Sequence, residues 1–455
     1  MSDPTTHNPA TGEAVPGRPF AALRESTQRL QALTCAASSW RQSSIGRRAE
    51  LLLQVADALR GDRETHARLM ATEMGKPLAQ GRGEIDKCAL VCEYYAKHGP
   101  AFLEPCQIET EGTKSYVRFD PLGVVLAIMP WNFPYWQVFR FAAPALMAGN
   151  AIALKHAPNV QGCAEAIERL LQSVHPESPL LQNFHLTDHT TGALIEHDAV
   201  AAVTFTGSTR GGRAVAARAG GALKKTVLEL GGSDAYLVLE DADVEAAAAA
   251  CVDSRLVNGG QSCIAAKRFI VHRARHEELT AHVMQRMGAA RMGDPFKPGT
   301  TLGPMARIDL RDELHRQVTE SVAAGAQLRL GGEVPARPGA WYPPTVLTNV
   351  RPGMPAHDEE LFGPVASVIE AESDEAALRI ANGSEFGLGA ALFSSDPQRA
   401  EALAARVEAG CCFVNDFVRS DPRLPFGGIK HSGYGRELSS FGIRELVNVK
   451  TIYVK

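Results

Sequence analysis

From residue 122 onward, short apolar runs alternate with amphipathic segments of helix length, and this alternation constrains the fold more than any other feature. Strand-length runs fall at 123–128, 151–154, 201–205, 226–230 and 235–239, with helical spacing between some of them at 163–174 and 210–219. Such βαβ units build a parallel sheet covered by helices on both faces. The pattern resumes after residue 263, with strands expected near 268–272 and 361–370 and helices near 275–290, 310–323 and 374–381. The first hundred residues read as mostly helical, over 47–59, 64–74 and 85–98, up to a composition break at Gly99-Pro100; a strand is expected at 116–119. The reading is an α/β protein of two domains joined near residue 232.

A chain of 455 residues outgrows one hydrophobic core, in keeping with two or three domains. The net charge of -4 offers no basic surface to nucleic acid or an anionic membrane. No apolar run reaches transmembrane length. The start, Met1-Ser2-Asp3-Pro4-Thr5-Thr6-His7-Asn8-Pro9, has neither a secretory signal's basic-then-apolar order nor the arginines of a transit peptide, so a cytoplasmic protein is expected. Nine cysteines are scattered along the chain without zinc-site spacing, and the 14 histidines include no HExxH. The expectation is a reduced protein without disulfides or a structural metal.

Residues that could carry chemistry stand in a few places. Asn258-Gly259-Gly260-Gln261-Ser262-Cys263-Ile264-Ala265 follows a helical run at 243–256 and precedes an apolar run at 269–271. The glycines end the helix, and the loop presents Cys263 as either a nucleophile or a small buried hydrophobe. In Met129-Pro130-Trp131-Asn132-Phe133-Pro134, prolines stiffen both flanks of Asn132, whose amide either serves a developing oxyanion or occupies a rigid turn. Glu229, inside Leu228-Glu229-Leu230-Gly231-Gly232, is a general base if buried and an ordinary edge glutamate if not. Lys155 closes its strand at the carboxyl edge where sheet ligands bind, suited to phosphate or ribose, or else solvated. There is no GxGxxG; the turn Thr206-Gly207-Ser208 either cradles a phosphate at a helix start or is a plain connection.

These stretches, together with Glu360-Leu361-Phe362-Gly363-Pro364-Val365 and Pro425-Phe426-Gly427-Gly428, occur in one order from Asn8-Pro9-Ala10-Thr11-Gly12 almost to Lys455. The set resembles the aldehyde dehydrogenase superfamily. Lys155-His156-Ala157-Pro158-Asn159-Val160 and Leu302-Gly303-Pro304-Met305-Ala306-Arg307 resemble its bacterial NAD(P)-dependent succinate-semialdehyde dehydrogenases. The resemblance implies a modified Rossmann cofactor domain (1–102 and 122–231), a catalytic α/β domain (232–431) and a small β oligomerisation region (103–121 and 432–455). A homodimer or homotetramer follows from it. So do Cys263 as nucleophile, Glu229 as general base, and Asn132 as oxyanion donor alongside the Cys263 backbone N–H. NAD or NADP would meet Met129, Pro130, Trp131, Lys155, Gly207, Ser208, Glu229, Leu230, Glu360 and Phe362, with Lys155 and Glu360 at the riboses.

The implied reaction oxidises an aldehyde to a carboxylic acid, with succinate semialdehyde the leading substrate. Oxidation of a broader set of small aldehydes is the alternative; a silent binding homologue sits badly with Cys263, Glu229 and Asn132 occurring together. Departures from the family pattern sharpen the reading. A second relay carboxylate expected after Gly435-Arg436 meets Ser440. Pro158 stands where a glutamate would disfavour a 2′-phosphate, so NADP is not rejected by charge. For a dicarboxylic semialdehyde, Arg140 matches one family arginine, eight residues after Asn132. The second falls on Val257, leaving Arg255 and Arg419 as substitutes or as surface ion-pair partners. Ala265 two residues after Cys263 removes the expectation of a redox disulfide there.

Overall fold

The structure, a computed structural model, describes residues 6–15 and 17–455. Its first sheet has five parallel strands, in spatial order Lys225–Glu229, Val200–Thr206, Val124–Met129, Ala151–His156 and Leu181–Asn183. Side chains along Val124–Met129 alternate between two cores. Val125, Ala127 and Met129 pack with the helices Leu23–Trp40, Ile45–Gly61, Leu78–Phe102 and Trp136–Ala148, and Val124, Leu126 and Ile128 with the opposite face. All six are buried, which is why the run reads as continuously apolar rather than alternating. Each such aliphatic side chain taken out of water contributes roughly 1.5–3 kcal/mol.

Between Glu229 and Ala235 the chain passes to a second, seven-stranded sheet. Its order is Gln327–Leu330, Thr345–Thr348, Val365–Ala371, Arg268–His272, Ala235–Val238, Gly389–Phe393 and Cys411–Val414, parallel except at the Gln327–Leu330 edge. A third, antiparallel sheet joins Cys106–Gln107, Lys114–Pro121 and Val447–Val454. Within the 432–455 segment, Gly433–Tyr434 instead pairs with Leu228–Glu229 on the first sheet, and the Tyr95 hydroxyl donates to the Ser439 carbonyl at 3.0 Å.

The expected break at Gly99-Pro100 is absent: one helix runs from Leu78 to Phe102 with Pro100 inside it. Gly99 is there for contact, since a Cβ would come within 2.5 Å of Met147. Pro100 lies in the last turn, which closes through the Leu103 N–H bonded to the Gly99 and Pro100 carbonyls. Among the described residues, no helix is long and apolar enough to cross a membrane, and no three histidine, cysteine or acidic residues cluster as metal ligands would.

Candidate active site

Parallel register brings the carboxyl ends of the first sheet's strands into line. Ile128 lies beside Lys155 and Phe205, and Thr206 beside Glu229. Met129, Pro130 and Trp131 lead out of one strand, Leu230 out of another. Gly207 and Ser208 open the helix Thr209–Gly221, where Ser208 Oγ accepts the Gly211 N–H at 3.2 Å. A Cβ on Gly207 would sit 2.6 Å from the Phe205 ring, so this turn presents bare backbone. Burial pulls the Lys155 ammonium below its ordinary value, with Asp188 opposing. From the second sheet's side, Glu360 accepts the Gly232 N–H at 3.0 Å, and Phe362 stands edge-on to Trp131 with ring centroids 5.8 Å apart.

Cys263 follows a tightly held turn. The helix Val244–Leu256 leads into Asn258, Gly259 and Gly260, at φ 54°, 64° and 75°. A Cβ on Gly260 would lie 2.2 Å from the Gly363 carbonyl oxygen, so both its conformation and its packing require glycine. Asn132 Nδ2 donates to the Gln261 carbonyl at 3.0 Å, tying the two loops together. Asn258 Nδ2 donates to the Asn132 and Gln261 carbonyls at 2.7 and 3.1 Å, and Lys76 Nζ to the Asn132 carbonyl at 3.1 Å. Lys76 is buried against Glu84, whose other oxygen accepts the Tyr135 and Trp136 N–H groups, each at 2.9 Å, where the helix Trp136–Ala148 begins. On the far side of Cys263, the buried Lys267 Nζ donates to the carbonyls of Ser262, Cys263 and Ala265 at 3.0, 2.7 and 3.3 Å and lies 3.6 Å from Glu360.

Burial pushes the Cys263 thiol up to about 12; the positive charges of Arg140 and Lys267 oppose that rise. Glu229 is buried, and neither of its carboxylate oxygens has a hydrogen-bond partner among the described residues. Burial, and after it the negative charge of Glu437, raises it well above the ordinary carboxylate range, with Arg140 and Arg436 pulling the other way. A cleft of about 700 Å³ leads to Cys263, walled by Phe133, Trp136, Gln137, Arg140, Phe417, Ser420 and Phe426.

The three candidate arginines part ways. Arg140 reaches the cleft wall but is ion-paired with Glu437, both side chains buried, and lies 4.8 Å from the Phe426 ring centroid. Arg255 does not reach the cleft: it is wholly buried, and its guanidinium donates to the Gly260 carbonyl at 2.5 Å. Its place near the end of the helix Val244–Leu256 puts it against the loop that carries Cys263, so it braces that loop where a substrate contact was expected. Arg419 stands at the rim, paired with Asp416 at 2.7 Å.

Sequence reasoning missed Lys76, Glu84, Lys267 and Glu437. Only the last left a signal, in Gly435-Arg436-Glu437, where a carboxylate was sought at residue 440. Glu437 is buried close enough to raise Glu229 electrostatically.

The sequence model of the aldehyde dehydrogenase family matches residues 2–452. The NAD(P)+ succinate semialdehyde dehydrogenase Sad of Escherichia coli (strain K12) is 47% identical over 454 residues, covering 99% of this chain and 98% of that one. A probable NADP+ succinate-semialdehyde dehydrogenase of Synechocystis sp. is 44% identical over 449 residues, 99% of each chain. Among solved structures, succinic semialdehyde dehydrogenase from Streptococcus pyogenes in complex with NADP+ superposes with a TM-score of 0.96 at 37% identity, covering 99% of both chains. With its fold and almost its whole length matched in this way, the chain belongs to the aldehyde dehydrogenase family.

Proposed function

We propose that this protein oxidises succinate semialdehyde to succinate with NAD+ or NADP+. The observation that carries the reading is the surroundings of the cleft-lining Cys263: its loop is tied to the Asn132 amide, and the buried Glu229 carboxylate, without a hydrogen-bond partner among the described residues, is near enough to act on the thiol electrostatically. The edge of the first sheet suits a dinucleotide. The bare turn at Gly207 and the free N–H groups at the start of the helix Thr209–Gly221 fit a pyrophosphate. The Lys155 ammonium makes no hydrogen bond among the described residues and has Pro158, not a carboxylate, three residues on, which leaves room for a 2′-phosphate. Glu360 keeps one oxygen for a ribose hydroxyl. When bound, the nicotinamide supplies the hydride acceptor.

The protein's own groups do the rest. A thiol held near 12 attacks at neutral pH only if its proton leaves as the bond forms, and Glu229 is a base whose charge reaches it. Sulfur bonds to the aldehyde carbon, and the resulting oxyanion lies between the free Asn132 amide hydrogen and the Cys263 backbone N–H; one such donor is worth roughly 3–4 kcal/mol. Loss of hydride leaves a thioester on Cys263. Glu229, once it has passed the thiol's proton to solvent, takes a proton from water as that water's oxygen bonds to the thioester carbon; the carbon–sulfur bond breaks, the acid is released, and the departing sulfur recovers the proton as the resting thiol.

The cofactor part is assigned to 1–102 and 122–231, the catalytic part to 232–431. The third sheet, whose Val449, Tyr453 and Val454 are exposed, is assigned to assembly with a second copy, as a homodimer or homotetramer. All nine cysteines are free, which suits the reducing cytoplasm. The aromatic walls favour one alternative, a broader range of small aldehydes. Absorbance of reduced nicotinamide across an aldehyde panel, with NAD+ and NADP+ compared, separates the two. Equal kcat/KM for succinate semialdehyde and butanal would favour the broader range, and no reduction with any aldehyde would end the proposal.

A further inference from the structure

Lys267 stands one residue before the strand Arg268–His272, at the point where the second sheet takes hold of its backbone. Its N–H donates to the Asp234 carbonyl at 3.1 Å and its carbonyl accepts the Ser367 N–H at 3.2 Å, so neighbours on both sides fix it. From this anchored position the side chain turns back against the loop that carries Cys263. An ammonium has three hydrogens, and the carbonyls of Ser262, Cys263 and Ala265 take one each. Glu360, at 3.6 Å, therefore feels the charge without receiving a hydrogen. Burial pulls the ammonium below its ordinary value, with the charge of Glu360 opposing.

One of the three carbonyls bears on the chemistry. The Ser262 carbonyl and the Cys263 N–H belong to one trans peptide unit and so point in opposite directions. That carbonyl accepts Lys267 Nζ at 3.0 Å and the Ala265 N–H at 3.1 Å, which uses both of its lone pairs. The Cys263 N–H donates to no atom of the described residues. A peptide bonded twice at oxygen and free at nitrogen is a donor fixed in place before its acceptor arrives. We infer that Lys267 is a positioning residue of the oxyanion site: acting through the Ser262–Cys263 peptide, it aims the Cys263 N–H and makes it a stronger donor. The inference rests on the oxidation proposed above and deepens it. A charged donor on the carbonyl draws electron density from the amide nitrogen, so the hydrogen at the other end becomes more positive; linked hydrogen bonds strengthen one another in this way. The oxyanion forms twice, when sulfur adds to the aldehyde and when water adds to the thioester. Lys267 has no hydrogen left for the oxyanion itself, so its effect passes through the peptide.

Lys267→Gln removes the charge and one donor hydrogen while leaving an amide in the site. Its kcat should fall about 10- to 100-fold, short of the 10²–10³-fold cost of losing a whole oxyanion donor, with little change in KM for aldehyde or cofactor. Lys267→Arg, which keeps the charge, should lie between this variant and wild type. Alkylation of Cys263 by iodoacetamide, followed against pH, gives the thiolate fraction and passes through no oxyanion, so the fall in kcat should survive correction for it. The most direct readout is spectroscopic. In Glu229→Gln, where the thioester should persist, the carbonyl stretch of the acylated Cys263 reports how strongly the donors pull on that oxygen, and an isotope label at the aldehyde carbon identifies the band. Adding Lys267→Gln should move the band to higher frequency. An unmoved band, a kcat loss that vanishes on correction for thiolate, or a loss confined to the cofactor KM would overturn the inference; the last would give Lys267 to Glu360 instead. No cofactor reduction by the wild-type enzyme with any aldehyde would overturn the oxidation itself. Should Lys267→Gln fail to fold, Lys267→Arg should give a smaller band shift of the same sign.

Discussion

The loops that carry Asn132 and Cys263 are dense with hydrogen bonds, whereas Glu229, at the end of the strand Lys225–Glu229, has none on either oxygen among the described residues. The contrast follows from what each part has to do. A nucleophile and an oxyanion donor work only if their relative position survives thermal motion, so buried lysines and amides fix the carbonyls on either side of them. A base has to change protonation state, and a carboxylate held by several N–H donors would be stabilised as the anion and weakened as a proton acceptor. Lys267 holds the carbonyls around Cys263 while its ammonium lies 3.6 Å from Glu360.

Mutation can break this contrast at either end. Cys263→Ala should show the largest effect, no aldehyde-dependent cofactor reduction, while cofactor binding and thermal stability persist; measurable steady-state turnover would remove Cys263 as nucleophile. Glu229→Gln keeps the shape and removes the base, so kcat should fall about 10²–10⁴-fold, the usual worth of a positioned general base. A steady-state rate near wild type would mean that the bare carboxylate is not the proton acceptor. Asn132→Ala should lower kcat about 10²–10³-fold with a smaller change in KM, since the donor acts mainly on the developing oxyanion. A loss confined to KM would instead assign Asn132 to ground-state binding.

How much of this the sequence shows depends on how local the cause is. Strand positions came through because the buried runs are continuous: 268–272 is the observed strand, and 123–128 differs from Val124–Met129 by one residue. Cys263 and Asn132 announce themselves through their neighbours, glycines with positive φ and flanking prolines. Lys76 and Lys267 gave no such sign, because a lysine in the sequence looks the same whether it faces water or three carbonyls. What distinguishes Lys76 is a partner 56 positions away. Arg140 lines the cleft, as its spacing from Asn132 suggests, but its ion pair with Glu437, which comes from the far end of the chain, has no local sign. Periodicity encodes which face is buried; it does not encode which charge arrives there from another element.

The smallest and most discriminating effect concerns Glu437. It is buried, ion-paired with Arg140, and raises Glu229 through like charge, second only to burial itself. The base acts as the carboxylate, so activity should rise with pH through the raised Glu229 value, giving an acid limb. Glu437→Gln removes the negative neighbour and leaves Arg140 closer to uncompensated. Both changes favour ionised Glu229, and the limb should move toward lower pH. At pH values on the wild-type limb the variant should therefore be the more active enzyme per folded molecule, by less than about tenfold if the shift stays within one unit. Losing a buried charge partner should at the same time lower the unfolding temperature, so rates are to be normalised to titrated Cys263. A limb that stays in place would mean that Glu437 only braces Arg140, and that Glu229 owes its raised value to desolvation alone. A limb that moves to higher pH would reverse the sign and mean that the net field of the Arg140–Glu437 pair at Glu229 is not that of the carboxylate.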